Sequence, residues 1–228
     1  MLVGLLHTRS AAAVYEKLGW SRLKAFSAQV KGSELLKWSE SKSDRFVVSV
    51  WGEKEIESNL KELADIYQSF SSRFFGPTAR SFQYWQKWVL SNLKLYRGKW
   101  ACAAAHDKSD KLLAYIFVSP APQMTVVSEF GMIGENDSAA ELFGRLLSCV
   151  SAQPLKDSTV TVPLPVFQTV FSSPPAFSVI SDDGWYFYNP WKNDASSSNE
   201  AAARLQAKLE KMNSPKESLF LFWAGDAF

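Results

Sequence analysis

Between residues 55 and 150 the spacing of apolar side chains changes period twice, and that alternation restricts the fold more than any other feature of the chain. From residue 55, Ile56, Leu60, Leu63, Ile66, Tyr67 and Phe70 recur three or four apart, which predicts a helix with one apolar face. After a break at Gly76, Pro77 and Thr78, a second helix is expected over residues 79–93, with Phe82, Trp85, Trp88 and Val89 along its packed side. Three strand-like runs follow, at 95–106, 112–118 and 125–130, separated by the polar turn 107–110 and by Pro120 and Pro122. Helical spacing returns over 138–150 through Ala139, Leu142, Phe143, Leu146, Leu147 and Val150. Helix, helix, three strands, helix is the order of an α+β domain built on a curved mixed β-sheet with flanking helices.

Outside that block the pattern is shorter in range. Residues 2–6 read as a strand, and Ala11, Val14, Tyr15 and Leu18 as a short helix that Thr8 or Ser10 caps and Gly19 ends. Residues 20–30 are expected to return as a strand, 31–44 to form a solvated loop rich in Ser, Lys and Glu, and 45–51 to form a strand. Late strands are expected at 159–163, 177–180, 185–188 and 219–223, with an Ala-rich helix over 201–212.

Composition excludes several functions. A chain of 228 residues suits one large domain, or one domain and part of another. With 46% hydrophobic residues, 21% charged and a net charge of +2, nothing argues for a nucleic acid or an anionic membrane as partner. No run approaches the about 20 apolar residues that span a bilayer, and residues 1–6 lack the features of a signal peptide, so a cytoplasmic location is expected. Cys102 and Cys149 sit in apolar surroundings and are expected in the core; His7 and His106 are isolated, and no metal is expected.

Arg9, Ala12, Tyr15 and the pair Gly19-Trp20 follow one another at the steps of the last conserved block of the GNAT superfamily of N-acetyltransferases, which this opening resembles. The family usually has Asn where this chain has Arg9. The resemblance implies that Arg9, Ser10 and Ala12 flank the pantetheine arm of acetyl-CoA and that Tyr15 protonates the departing thiolate. Spacing alone allows Tyr15 to be an ordinary amphipathic-helix residue with a wet hydroxyl.

A second, more diffuse resemblance rests on residues 80–85 (Arg80 to Trp85), on 126–130 leading into the helix at 139, and on 182–186. It is similar to the degenerate second domain of tandem acetyltransferases of the enhanced-intracellular-survival and fungal lysine acetyltransferase types. The expected organisation is thus the C-terminal part of one GNAT-like domain over residues 1–54, then a degenerate GNAT-like domain over 55–228.

The family grips the cofactor pyrophosphate with a Gly-rich loop at a helix N-terminus, where free backbone N–H groups favour phosphate. The corresponding stretch here, 131–137, carries Glu135 and Asp137, which repel a pyrophosphate. For the first domain such a loop would have to lie upstream of Met1. The resemblance therefore implies an acyl-CoA-dependent N-acetyltransferase acting on a small or peptidic amine, weak or inactive as this chain alone. It implies acetyl-CoA as co-substrate, and either a homo-oligomer or a missing N-terminal half as partner. The competing expectation is a non-catalytic binding module, and a third is an α+β domain whose opening is coincidental. The Phe228 carboxylate is a candidate catalytic base by the same resemblance, and Asp65, Glu129 and Asp226 are candidate contacts to a substrate amine.

Overall fold

The computed structural model describes residues 4–7, 11–40, 44–74, 77, 79–95, 98–121, 123–134, 138–151, 154–188, 204, 207, 209, 211, 213–216 and 221. Among them, eight strands form one sheet: β1 (Gly4–His7), β2 (Trp20–Lys31), β3 (Phe46–Trp51), β4 (Ala101–Asp107), β5 (Leu112–Ala121), β6 (Met124–Met132), β7 (Thr159–Pro163) and β8 (Phe177–Tyr188). Their order across the sheet is β1-β8-β2-β7-β6-β5-β4-β3. Neighbours are antiparallel except β6 and β7, which run parallel, so the sheet is mixed as expected.

The helices are α1 (Ala12–Lys17), α2 (Gly32–Ser39), α3 (Glu53–Ser58), α4 (Leu60–Ser71), α5 (Phe82–Tyr84), α6 (Leu90–Leu95), α7 (Ala139–Val150) and α8 (Leu164–Val170), with a π-turn at Trp85–Val89 joining α5 to α6. The predicted stripe on α4 is buried as the spacing required: Leu60, Leu63, Ile66, Tyr67 and Phe70 all face the core. Gly131 on β6 lies against Ile66 of α4, whereas its neighbour Phe130 meets Phe143 of α7. Consecutive strand residues point to opposite faces, so α4 and α7 cover opposite sides of the sheet. Cys102, Ala103, Ala104 and Ala105 of β4 are buried on both faces, and their small side chains let α7 approach closely.

Several expectations need correction. Residues 31–44 are not one solvated loop, because α2 forms inside them with Leu35 fully buried and packs on α7. That contact is so close that a Cβ on Gly144 would stand 2.8 Å from the Cβ of Trp38. Of the aromatics expected to line the second helix, Trp85 is buried, but Phe82 and Trp88 are exposed. The π-turn advances about one residue further per turn than an α-helix, so the position that joins Trp85 in the core is Leu90, five residues on.

The strand expected from residue 95 begins at Ala101, since Leu95 still belongs to α6. The two late strands at 177–180 and 185–188 are one, β8. Helix α8 falls where no element was expected, with Pro165 tolerated in its first turn, where the missing N–H has no partner to lose. Of the helix expected over 201–212, Arg204, Ala207, Leu209 and Lys211 are described and helical. Of the strand expected at 219–223, only Leu221 is described; it is buried and not in a strand.

The boundary expected at residue 54 does not coincide with a break in the sheet: β1, β2 and β3 pair with strands from beyond it. The longest of the three, β2, is hydrogen-bonded to β7 on one side and β8 on the other. A bulge in β8 opposite Lys24 interrupts the pairing there, and the Lys24 N–H donates to Asn213 Oδ1 at 2.8 Å.

Candidate functional site

Two irregularities in β6 mark the centre of the sheet. Its pairing with β5 slips at Ser128, a bulge whose hydroxyl lies 2.8 Å from that of Ser119. Its parallel pairing with β7 covers only Met124, Thr125 and Val126, after which β7 departs toward Pro163 and α8. Diverging parallel strands leave backbone groups unpaired, and such an opening is a natural place for a ligand. Here aromatic rings fill it. Phe130 meets Phe70 of α4 edge-on, with ring centroids 5.4 Å apart. On its other edge β6 is paired with β5, Phe130 opposite Ile116, so the two rings meet on the side that β7 has left. The stack continues through Phe143 and Phe171.

One residue beyond the bulge, Glu129 points to the α4 face and is buried. A charge in that position needs a partner, and Arg80, from the coil before α5, provides it: Nη1 lies 2.7 Å from Glu129 Oε2, with the side chains 2% and 6% exposed. The other carboxylate oxygen accepts the Tyr115 hydroxyl at 2.7 Å. The guanidinium of Arg80 also sits over the rings of Tyr67, 4.1 Å from its centroid, and Trp85, 5.2 Å away. Tyr67 and Trp85 meet edge to face, which closes the cage.

Burial, reinforced by the negative charge of Glu129, holds the Tyr115 hydroxyl well above its ordinary pKa. Cys102, buried nearby, is raised for the same two reasons, so it is a neutral thiol and not a nucleophile. The group can rigidify the core. As chemistry it offers little, because both oxygens of Glu129 already accept bonds and the side chain is buried.

The residues singled out in the sequence are scattered. Tyr15 is on α1, half-buried, its ring edge-on to Trp20 with centroids 5.5 Å apart, and Ala12 opens the same helix. No residue of α1 is fully buried, and Val14 and Leu18 face solvent. Arg9, Ser10, Asp226 and Phe228 lie outside the described residues. Asp65 is exposed on α4. Only Glu129 belongs to the buried cluster, where Arg80 takes the place expected for a substrate amine. Cys149, expected in the core, is exposed, since it falls on the outer face of α7 between Leu147 and Val150. Arg80 and Tyr115 were not singled out as partners of Glu129. The available signal was an acid in the middle of the otherwise apolar run 125–132, which a two-sided sheet can bury only beside a cation.

The described residues around the N-terminus of α7 do not fit a pyrophosphate. The first turn carries Glu141, which faces Arg145 at 3.7 Å, and Ser138 makes no capping bond. Arg73, exposed nearby, directs its guanidinium to the Gly134 carbonyl at 3.4 Å. Among the described residues, no group of three or more His, Cys, Asp or Glu could hold a metal ion, and no helix is long and apolar enough to cross a membrane.

No protein-family model matches the chain, and no curated protein matches it in sequence. Solved structures do. A conserved protein from Enterococcus faecalis V583, described as a probable N-acyltransferase, is 13% identical with a TM-score of 0.58, over 81% of this chain and 44% of that one. A GCN5-related N-acetyltransferase from Kribbella flavida is 15% identical with a TM-score of 0.52, over 82% of this chain and 43% of that one. The chain spans less than half the length of either structure. At such identities the likeness speaks to the fold alone, and on that point sheet, helices and neighbours agree: this is a GNAT-like fold.

Proposed function

We propose that the chain is the silent GNAT-like part of an acyl-CoA-dependent N-acetyltransferase acting on a small or peptidic amine, and that it transfers no acetyl group by itself. The observation that carries this reading is the engagement of Glu129 on both oxygens, by Arg80 and by Tyr115, in a buried position. A carboxylate so held cannot take a proton from an ammonium group. The filled opening between β6 and β7 and the acidic first turn of α7 support the same reading.

In this reading residues 1–54 derive from the end of one GNAT-like domain and 55–228 from a degenerate second, with β1, β2 and β3 the strands that the first contributes to the shared sheet. Acetyl-CoA would be bound elsewhere in the assembly, by a part carrying the Gly-rich loop or by a second copy. Helix α1, with Val14 and Leu18 uncovered, is the surface that such a part would cover, and Tyr15 beside Trp20 would then face the departing thiolate. The setting is taken to be the cytoplasm.

Isothermal titration of the chain with acetyl-CoA, followed by an acetyl-transfer assay on a lysine-like amine, tests the proposal. No heat at millimolar ligand and no transfer are expected. Micromolar binding, or transfer that Glu129→Gln abolishes, would overturn it. A second reading, a binding module unconnected with acetyl transfer, predicts in addition that no acetylation appears when any partner is added.

A further inference from the structure

Strand β3 ends the sheet, paired only with β4 among the described residues, and two of its apolar side chains, Val47 and Val50, are 63% and 60% exposed. An edge of six residues with no charge on it is unusual, because it offers unpaired N–H and C=O groups to any extended chain. On the α4 face, this edge borders a trough of about 620 Å³. Its floor includes Ser49 and the rings of Trp51 and His106, tilted 38° to each other with centroids 5.4 Å apart. Its rim carries Glu62 from α4, and Asp107 and Asp110 from the turn after β4.

The charge of this rim is negative. The one lysine among the trough's lining residues, Lys108, is 2.9 Å from the Asp44 carboxylate, which offsets it. Asp107 is held ionised by the Ser109 hydroxyl and the Lys111 backbone N–H, and its described bonds all fall on Oδ1, leaving Oδ2 to an incoming donor. An aromatic floor with carboxylates above it suits a long aliphatic stem that ends in a cation. Side chains of an added strand would alternate across the edge, so one from its middle would enter the trough while its backbone pairs with β3.

We propose that the β3 edge is a docking site for an extended basic peptide, which adds as a ninth strand and places a lysine or arginine side chain in the trough between Trp51, Glu62 and Asp110. The site is separate from the Arg80–Glu129 cluster and requires no acetyl-CoA, so it stands whether or not the protein takes part in acetyl transfer.

Fluorescence anisotropy with a labelled peptide of sequence Thr-Val-Lys-Val-Thr-Val tests the proposal, with three competitors: the same peptide with Glu for Lys, one with Pro in place of the valine after Lys, and n-butylammonium. The Lys peptide is expected to bind at least about tenfold more tightly than the Glu and Pro peptides, and to weaken with added salt. The double charge reversal Glu62→Lys/Asp110→Lys, with folding checked by circular dichroism, is expected to reduce affinity about tenfold or more. Equal binding of the Lys and Glu peptides would overturn the role of the trough. Undiminished binding of the Pro peptide, or displacement by n-butylammonium at equal concentration, would overturn strand addition. No binding at millimolar peptide would overturn the site altogether.

Discussion

Arg80 Nη1 stands 2.7 Å from Glu129 Oε2 in a part of the core closed to water. Removing one member of such a pair strands the other charge, whereas replacing both by apolar groups strands neither. Glu129→Gln is therefore expected to lower the unfolding free energy by about 3–5 kcal/mol, and the double variant Arg80→Met/Glu129→Leu by less than either single change. Urea unfolding of the wild-type protein, Glu129→Gln, Arg80→Met and the double variant decides the matter; additive losses in the double variant would show that the two charges are not coupled.

Alkaline stability should follow Tyr115 and Cys102. Both are held protonated in the fold, above their ordinary values of 10.0 and 9.0. The unfolded chain gives up those protons first, so stability is full below that range and falls as the pH rises through it. Tyr115→Phe is expected to make the alkaline loss shallower in urea midpoints taken between about pH 8 and about pH 11, and an unchanged slope would rule out this origin.

The two cysteines should separate kinetically. Cys149 is exposed on α7 and Cys102 is sealed beneath the sheet. An aromatic disulfide reagent is expected to label one thiol per chain in the native protein and two in denaturant. In Cys149→Ser the native label should vanish; if it persists, Cys102 is accessible after all.

The contact between α2 and α7 leaves no room at Gly144, where a Cβ would stand 2.8 Å from Trp38 Cβ and 2.9 Å from the Ser39 nitrogen. Gly144→Ala is expected to destabilise by about 1–3 kcal/mol through overpacking, despite the better helix propensity of alanine. Thermal unfolding measures it, and a raised midpoint would mean that the helices separate easily.

Thr161 offers the reverse case. Its hydroxyl is buried on β7 with no hydrogen-bond partner among the described residues. Thr161→Val keeps the shape and removes the orphan, so a gain of about 1 kcal/mol is expected in urea unfolding. A loss there would point to a partner for Oγ1 in solution.

What could be read from the chain, and what could not, follows from the range of the forces involved. The α4 face was legible because Leu60, Leu63, Ile66, Tyr67 and Phe70 repeat at one period, and that period reports one surface. Helix α2 was not, because its polar majority hides Leu35, Leu36 and Trp38, and its stability comes from α7, more than a hundred residues away. Glu129 could be singled out as an acid in an apolar strand. Its pairing with Arg80 could not, since 49 residues separate them and Arg80 sits in coil, where no periodic pattern places it.

The place of β2 has a consequence for how the chain reaches its final state. Residues 20–31 are synthesised early, but both of their hydrogen-bonding partners, 159–163 and 177–188, come much later. At ordinary ribosomal speeds the strand waits on the order of ten seconds with its apolar residues unpaired. The sheet then closes by inserting an early strand between two late ones, a high-contact-order step that sets a slow tempo for folding.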